Sequence, residues 1–122
     1  MNEKNKFSTL KKSIGDIEII YLNGFLDAHT ASELENVIEQ SINEKGYKIL
    51  VNFENLEYIS SAGLGVFMSF IEEIRDKGGD IKMTRMNDKV FSIFDLLGFP
   101  MLFDIHKDED FIISKFSIVV TK

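Results

Sequence analysis

Cysteine and tryptophan are absent from this chain, proline occurs once, at Pro100, and no apolar run approaches 18 residues. A run of about that length would be needed to suggest a membrane-spanning helix. Without cysteine there are no disulfides and no thiol chemistry, which fits a reducing compartment. The leading Met1-Asn2-Glu3-Lys4-Asn5-Lys6 lacks the apolar stretch of a signal peptide. Positive charge is scarce as well. Fourteen Lys and Arg face 20 Asp and Glu, a net charge of −6. No basic stripe can therefore release counterions from a nucleic-acid backbone. These exclusions leave an acidic, cytoplasmic protein that neither inserts into a membrane nor binds nucleic acid directly. What is present is ordinary globular composition, 44% apolar and 28% charged, with 11 Phe to build a core alongside Ile and Leu. The 122 residues are a single-domain length, and no linker, repeat or low-complexity stretch interrupts them. One domain over residues 1–122 is expected.

Strand and helix patterns alternate along the chain. Phe7 to Lys12 and Ile17 to Leu22 read as strands, the second ended by Asn23-Gly24. Thr30-Ala31-Ser32-Glu33 has the form of a capping box, opening a helix from Ala31 to Glu44 that Gly46 ends. In it Leu34, Val37, Ile38, Ser41 and Ile42 recur at helical spacing. Lys48 to Phe53 is a strand whose Ile49-Leu50-Val51 shows no polar alternation, the mark of burial on both faces. A loop follows, then a helix from Ala62 to Lys77. Its apolar arc is Leu64, Phe67, Met68, Ile71 and Ile74, flanked by Val66 and Phe70. The opposite stripe, Ala62, Gly65, Ser69, Glu72 and Asp76, is small at its start and acidic further on.

Ile81 to Thr84 is a further strand. Asn87 opens a helix with Val90, Ile93, Phe94 and Leu97 on its apolar face, which Gly98 and Pro100 stop. Met101 to Ile105 reads as a last strand and Asp108 to Ser117 as an amphipathic helix. This alternation predicts an α/β layered domain with a mainly parallel sheet.

The chemistry concentrates at Tyr58-Ile59-Ser60-Ser61-Ala62-Gly63-Leu64-Gly65, where two hydroxyls stand at a helix start. A hydrolase reading would pair Ser61 with Asp95 or Asp104 and His106, yet a nucleophile elbow needs glycine where Ile59 stands. Gly63-Leu64-Gly65 is only a fragment of a phosphate-binding loop. His29 and His106 have no second metal ligand at characteristic spacing, so no metal or other cofactor is expected. A response-regulator receiver is a structural rival of about this length and alternation, and two absences count against it: no acidic pair follows the first clear strand, and the buried strand carries Asn52. Two readings remain open, a structural cap and a phosphorylation switch. A helix N-terminus tolerates a phosphate, so charge and bulk on one serine could repel a partner without unfolding the chain.

Over nearly its whole length the sequence resembles a STAS domain of the bacterial anti-sigma-factor antagonist type. Three stretches carry the likeness: Gly24 to Thr30, the strand and loop Leu50 to Ile59, and Ser60-Ser61-Ala62-Gly63-Leu64-Gly65, similar to the family's Asp-Ser-Ser/Thr-Gly-Leu-Gly signature. Phe91 to Ile105 is also similar to the family's third helix and last strand. The resemblance implies a single STAS domain with a mixed, mainly parallel sheet of four to five strands and about four helices. It implies a non-enzymatic protein that captures an anti-sigma factor, usually a GHKL-type serine kinase, and is released when that kinase phosphorylates it. A PP2C-type phosphatase would restore it. The phosphoacceptor position falls on Ser61, with Ser60 the second choice, and Ser60 stands where the family usually has Asp. Asn52 likewise replaces a frequent Asp. Partner contacts are expected at Asp27, Thr30, Ser60, Ala62, Gly63, Gly65 and Ser69, with a turn role for Asp27 and a cap role for Thr30 as the alternatives. A different function for the same domain is a non-phosphorylated scaffold subunit of a larger complex, stressosome-like or transporter-associated.

Overall fold

The computed structural model of the chain describes residues 6–117; the polar segment 1–5 lies outside the described residues. In chain order the elements are β1 (Phe7–Ile14), β2 (Ile17–Leu26), α1 (Ala31–Lys45), β3 (Lys48–Ile59), α2 (Ser61–Asp76), β4 (Asp80–Thr84), α3 (Asp88–Leu96), a 3-10 turn (Phe99–Met101), β5 (Asp104–His106) and α4 (Glu109–Ser117). The five strands form one sheet in the order β1-β2-β3-β4-β5. β1 runs antiparallel to β2, and every other pairing is parallel. This is the mainly parallel α/β sheet that the alternation predicts, and the mixed five-stranded form that the resemblance implies.

Parallel neighbours in sequence order, joined by right-handed crossovers, place their helices on one side. Accordingly α1, α2 and α3 bury Leu34, Ile38, Phe67, Ile74 and Phe94 against Ile20, Leu22, Ile49, Val51 and Phe53. The alternate positions of the same strands, Ile17, Ile19 and Leu50, face the other way and meet Ile112 and Phe116 of α4. The unbroken apolar run Ile49-Leu50-Val51 thus reports helices on both faces. Phe53 centres the larger core, with the Phe94 ring edge-on at 5.5 Å and the Phe67 ring at 5.9 Å.

Several boundaries depart from the sequence pattern. β2 does not stop at Asn23-Gly24 but continues to Leu26. Gly24, at φ +98°, is instead where the chain passes close to Lys6, whose carbonyl oxygen a Cβ would strike. β3 continues to Ile59 where a loop was expected after Phe53. Its pairing jumps from Tyr21↔Asn52 to Asn23↔Asn55, so Phe53 and Glu54 together oppose Leu22, a β-bulge. The span Met101 to Ile105 is not one strand, because Pro100 lies in the 3-10 turn and pairing begins only at Asp104. Met68 and Leu97, expected on apolar faces, are 43% and 52% exposed.

On the α4 side of β4, Lys82 is buried but paired, 3.0 Å from Asp80 and 2.7 Å from Asp104. Burial alone would lower its pKa, but hydrogen bonds to Asp104 and Asp80, and their charges, outweigh that and raise it. The same bond holds the Asp104 carboxyl below its ordinary value, against its partial desolvation.

Candidate functional site

The C-terminal ends of β2 and β3 lie side by side, Leu26 opposite Ile59. Ser60 N donates to the Leu26 carbonyl at 2.9 Å, tying the two following turns together. One turn is Asp27 to Thr30, the other Ser60-Ser61. The sheet thereby joins two stretches that are far apart in sequence.

In the first turn the half-buried Asp27 uses its Oδ1 to accept from the backbone N–H of His29 (2.9 Å) and Thr30 (3.2 Å). That is the turn role an Asx side chain performs well. Thr30 is buried, and its hydroxyl accepts from Asp27 N and donates to the Phe25 carbonyl, each at 2.9 Å. It makes no side-chain cap to α1, so the expected capping box with Glu33 does not form. The reason is local: Thr30 has φ −111° and ψ −4°, helical rather than extended, and its hydroxyl serves the strand end behind it. Thr30 shapes the turn from inside.

The two serines of the second turn have different tasks. Ser60 is extended (φ −104°, ψ 174°), and its Oγ accepts from Gly63 N at 3.4 Å, a long but recognisable N-cap. Ser61 is the first residue of α2 and exposed. Among the described residues its hydroxyl makes no side-chain hydrogen bond. Asp104 is engaged by Lys82, and the His106 ring packs on Phe111 at 4.8 Å. No acid stands in the first turn of α2. The partial positive charge of that helix end is therefore not offset by a neighbouring carboxylate in the turn.

Beyond Ser61 the exposed face of α2 carries Ala62, Gly65, Met68 and Ser69. Ser69 folds its hydroxyl back onto the Val66 carbonyl at 2.7 Å, and a Cβ built on Gly65 would meet nothing within 4 Å. Gly63 does not belong to this face. It is buried, and a Cβ there would lie 2.7 Å from Leu26 Cγ and 3.1 Å from Ile59 Cγ1. Its task is close packing of α2 on the strand ends, which corrects its expected place at a docking surface. Sequence reasoning missed Met68 as a surface residue. At about 100° per residue it sits at the border of the apolar arc, seven positions after Ser61 and close to the same face. Tyr58 was missed too. It is 43% exposed, with its ring 6.2 Å from that of Phe25, beside an open pocket of about 340 Å³ lined by Phe25, Glu57, Tyr58, Asn87 and Lys89.

The site can therefore accept a group on Ser61 without displacing a structural bond. It offers a small, shallow face next to it and no metal-binding cluster of three or more His, Asp or Glu among the described residues. Comparison with known proteins gives the family and the fold. A sequence model described as the STAS domain matches residues 9–112. An anti-sigma-B factor antagonist of Listeria monocytogenes is 24% identical over 90 residues, 74% of this chain and 79% of the relative. An anti-sigma F factor antagonist of Paenibacillus polymyxa is 28% identical over 92 residues, 75% and 79% of the two chains. The solved structure of the anti-sigma factor antagonist SpoIIAA in its unphosphorylated form superposes with a TM-score of 0.77 at 21% identity, covering 93% of this chain and 100% of that one. At that identity the superposition speaks for the fold.

Proposed function

The chain belongs to the STAS domain family, and from that membership we propose that it is an anti-sigma-factor antagonist working by partner switching. Unphosphorylated, it captures an anti-sigma factor that is also a GHKL-type serine kinase; phosphorylated on Ser61, it lets go. A PP2C-type phosphatase resets it. The protein is in this reading a non-enzymatic cytoplasmic regulator, a single domain over residues 1–122.

The observation that carries the proposal is the division of labour at the start of α2. Ser60 supplies the cap, while Ser61 is exposed and unengaged. A phosphate there adds roughly −1.5 to −2 charges at a helix end that favours anions. The fold keeps its contacts. A partner docked on Ala62, Gly65, Met68 and Ser69 meets new bulk and charge. The family names of the two relatives, and a structural neighbour solved in both unphosphorylated and phosphorylated forms, support the same reading.

The direct test is incubation with the cognate kinase and ATP, followed by mapping of the modified residue by mass spectrometry. Phosphate is expected on Ser61; phosphate on Ser60 alone, or none, overturns the assignment. Ser61→Asp should weaken capture of the kinase at least about tenfold, a modest loss for charge and bulk placed in an interface. Its melting temperature should stay close to that of the parent.

A further inference from the structure

Among the described residues one helix covers the second face of the sheet. α4 buries Ile112 and Phe116 against Ile17, Ile19 and Leu50, a small cluster set apart from the main core. At the N-terminal end of α4 the apolar contact gives way to a polar row. Tyr21, Asn52, Thr84 and His106 are successive register partners across β2, β3, β4 and β5, so their side chains share this face. The first turn of α4 sits on that row. Glu109 Oε1 accepts from Asn52 Nδ2 at 2.6 Å, and the Phe111 ring stands edge-on to His106. Partial burial first, and the nearby Glu109 carboxylate second, raise the pKa of the Tyr21 hydroxyl.

Asn52 is 3% exposed, and its orientation is not free. Its Oδ1 accepts from Glu54 N at 2.9 Å, within the bulge of β3. With the carbonyl turned to Glu54, the amide nitrogen must point at Glu109. The neighbouring Thr84 is fully buried and its Oγ1 makes no hydrogen bond, so it supplies no polar tie to α4. Among the described residues α4 has two buried apolar anchors, with Ile113 half-buried beside them, Lys82 over the Phe116 ring and a polar contact at one end. A cover of that size is the kind of unit that opens below the global unfolding limit.

We infer that α4 is a separately opening cover of the second sheet face, latched by the Asn52 amide that the β3 bulge aims at Glu109. This goes beyond the partner-switching reading and does not depend on it. When the latch releases, Ile17, Ile19 and Leu50 and the polar row lose their cover together, while α1, α2, α3 and the Ser61 turn stay in place.

Hydrogen exchange of the full chain at pH 8, well above the ordinary carboxylate range, tests the latch. In Asn52→Asp the new carboxylate can still accept from Glu54 N, so the bulge is kept, but it now faces the Glu109 carboxylate. Backbone amides of residues 112–117 should exchange about 10- to 100-fold faster, with those of β3, β4 and α2 unchanged. Glu109→Ala, which leaves the sheet untouched, should produce the same local change. Glu109→Gln keeps an acceptor and should stay within a few-fold of the parent. The double variant Asn52→Asp with Glu109→Gln restores a donor–acceptor pair in reversed polarity and should recover protection. Unchanged exchange of α4 in Asn52→Asp overturns the inference. So does acceleration of all amides together, or failure of the double variant to recover.

Discussion

Ser60 and Ser61 occupy adjacent positions, yet substitution should separate them cleanly. Ser60→Ala removes the oxygen that accepts from Gly63 N. Because that bond is long, at 3.4 Å, the loss should sit near the low end of the N-cap range, about 0.5–1 kcal/mol. Ser61→Ala removes an exposed hydroxyl without a side-chain partner and should stay within about 0.5 kcal/mol of the parent. Urea unfolding of the two variants under one buffer checks the contrast, and equal losses would assign the cap wrongly. The serine pair was legible in the sequence because the apolar helical pattern begins just after it. Which serine caps was not legible, since both stand within reach of the first turn and only backbone angles decide. Thr30 shows the opposite failure. Thr-x-x-Glu fits a capping box, but the Phe25 carbonyl and Asp27 N–H claim the hydroxyl, and both groups are brought there by the end of β2.

The two glycines at the start of α2 read alike in sequence and differ in the structure. A methyl at Gly63 would press on Leu26 and Ile59, so Gly63→Ala should destabilise by about 1–3 kcal/mol, the usual cost of overpacking. Gly65 faces open space, and Gly65→Ala should instead stabilise by about 0.5–1 kcal/mol through helix propensity. Thermal melts of both, followed by circular dichroism, should move in opposite directions; a shift of the same sign would contradict the packing described. Helices were well marked by their periodicity. Strand ends were not, because β2 and β3 run on through a glycine and a bulge that look like loop in a one-dimensional pattern. The exposure of Met68 and Leu97 has a similar origin: apolar character alone does not say on which side of an arc the neighbouring helix stops.

Across the whole molecule the α/β layering and both-face burial of β3 followed from alternation and apolar runs, whereas the Lys82–Asp104 pair under α4 left no local trace. Those two residues meet only through the β4–β5 pairing, while Asp80, the other partner of Lys82, stands two residues before it on β4. Their pH dependence has a definite sign. The depressed pKa of Asp104 gives stability that is present above the ordinary carboxylate range and lost as pH falls through the folded-state value. The raised pKa of Lys82 gives stability present below the ordinary lysine range and lost as pH rises through its folded-state value. Lys82→Met should therefore flatten the acid limb of a plot of urea midpoint against pH between about pH 2 and 5, where carboxylates titrate. An acid limb as steep as the parent's would show that the pair is not its source.

The order of the strands in space is also their order in the chain. Each strand finds its neighbour already made: β2 closes on β1, β3 on β2, and so on to β5. During vectorial synthesis, where N-terminal parts emerge first, the sheet can therefore grow in step with the ribosome, with one advancing edge. No described strand has to wait for a segment not yet translated, and α4, the last of the described elements, arrives to cover a surface that β2, β3, β4 and β5 have already formed.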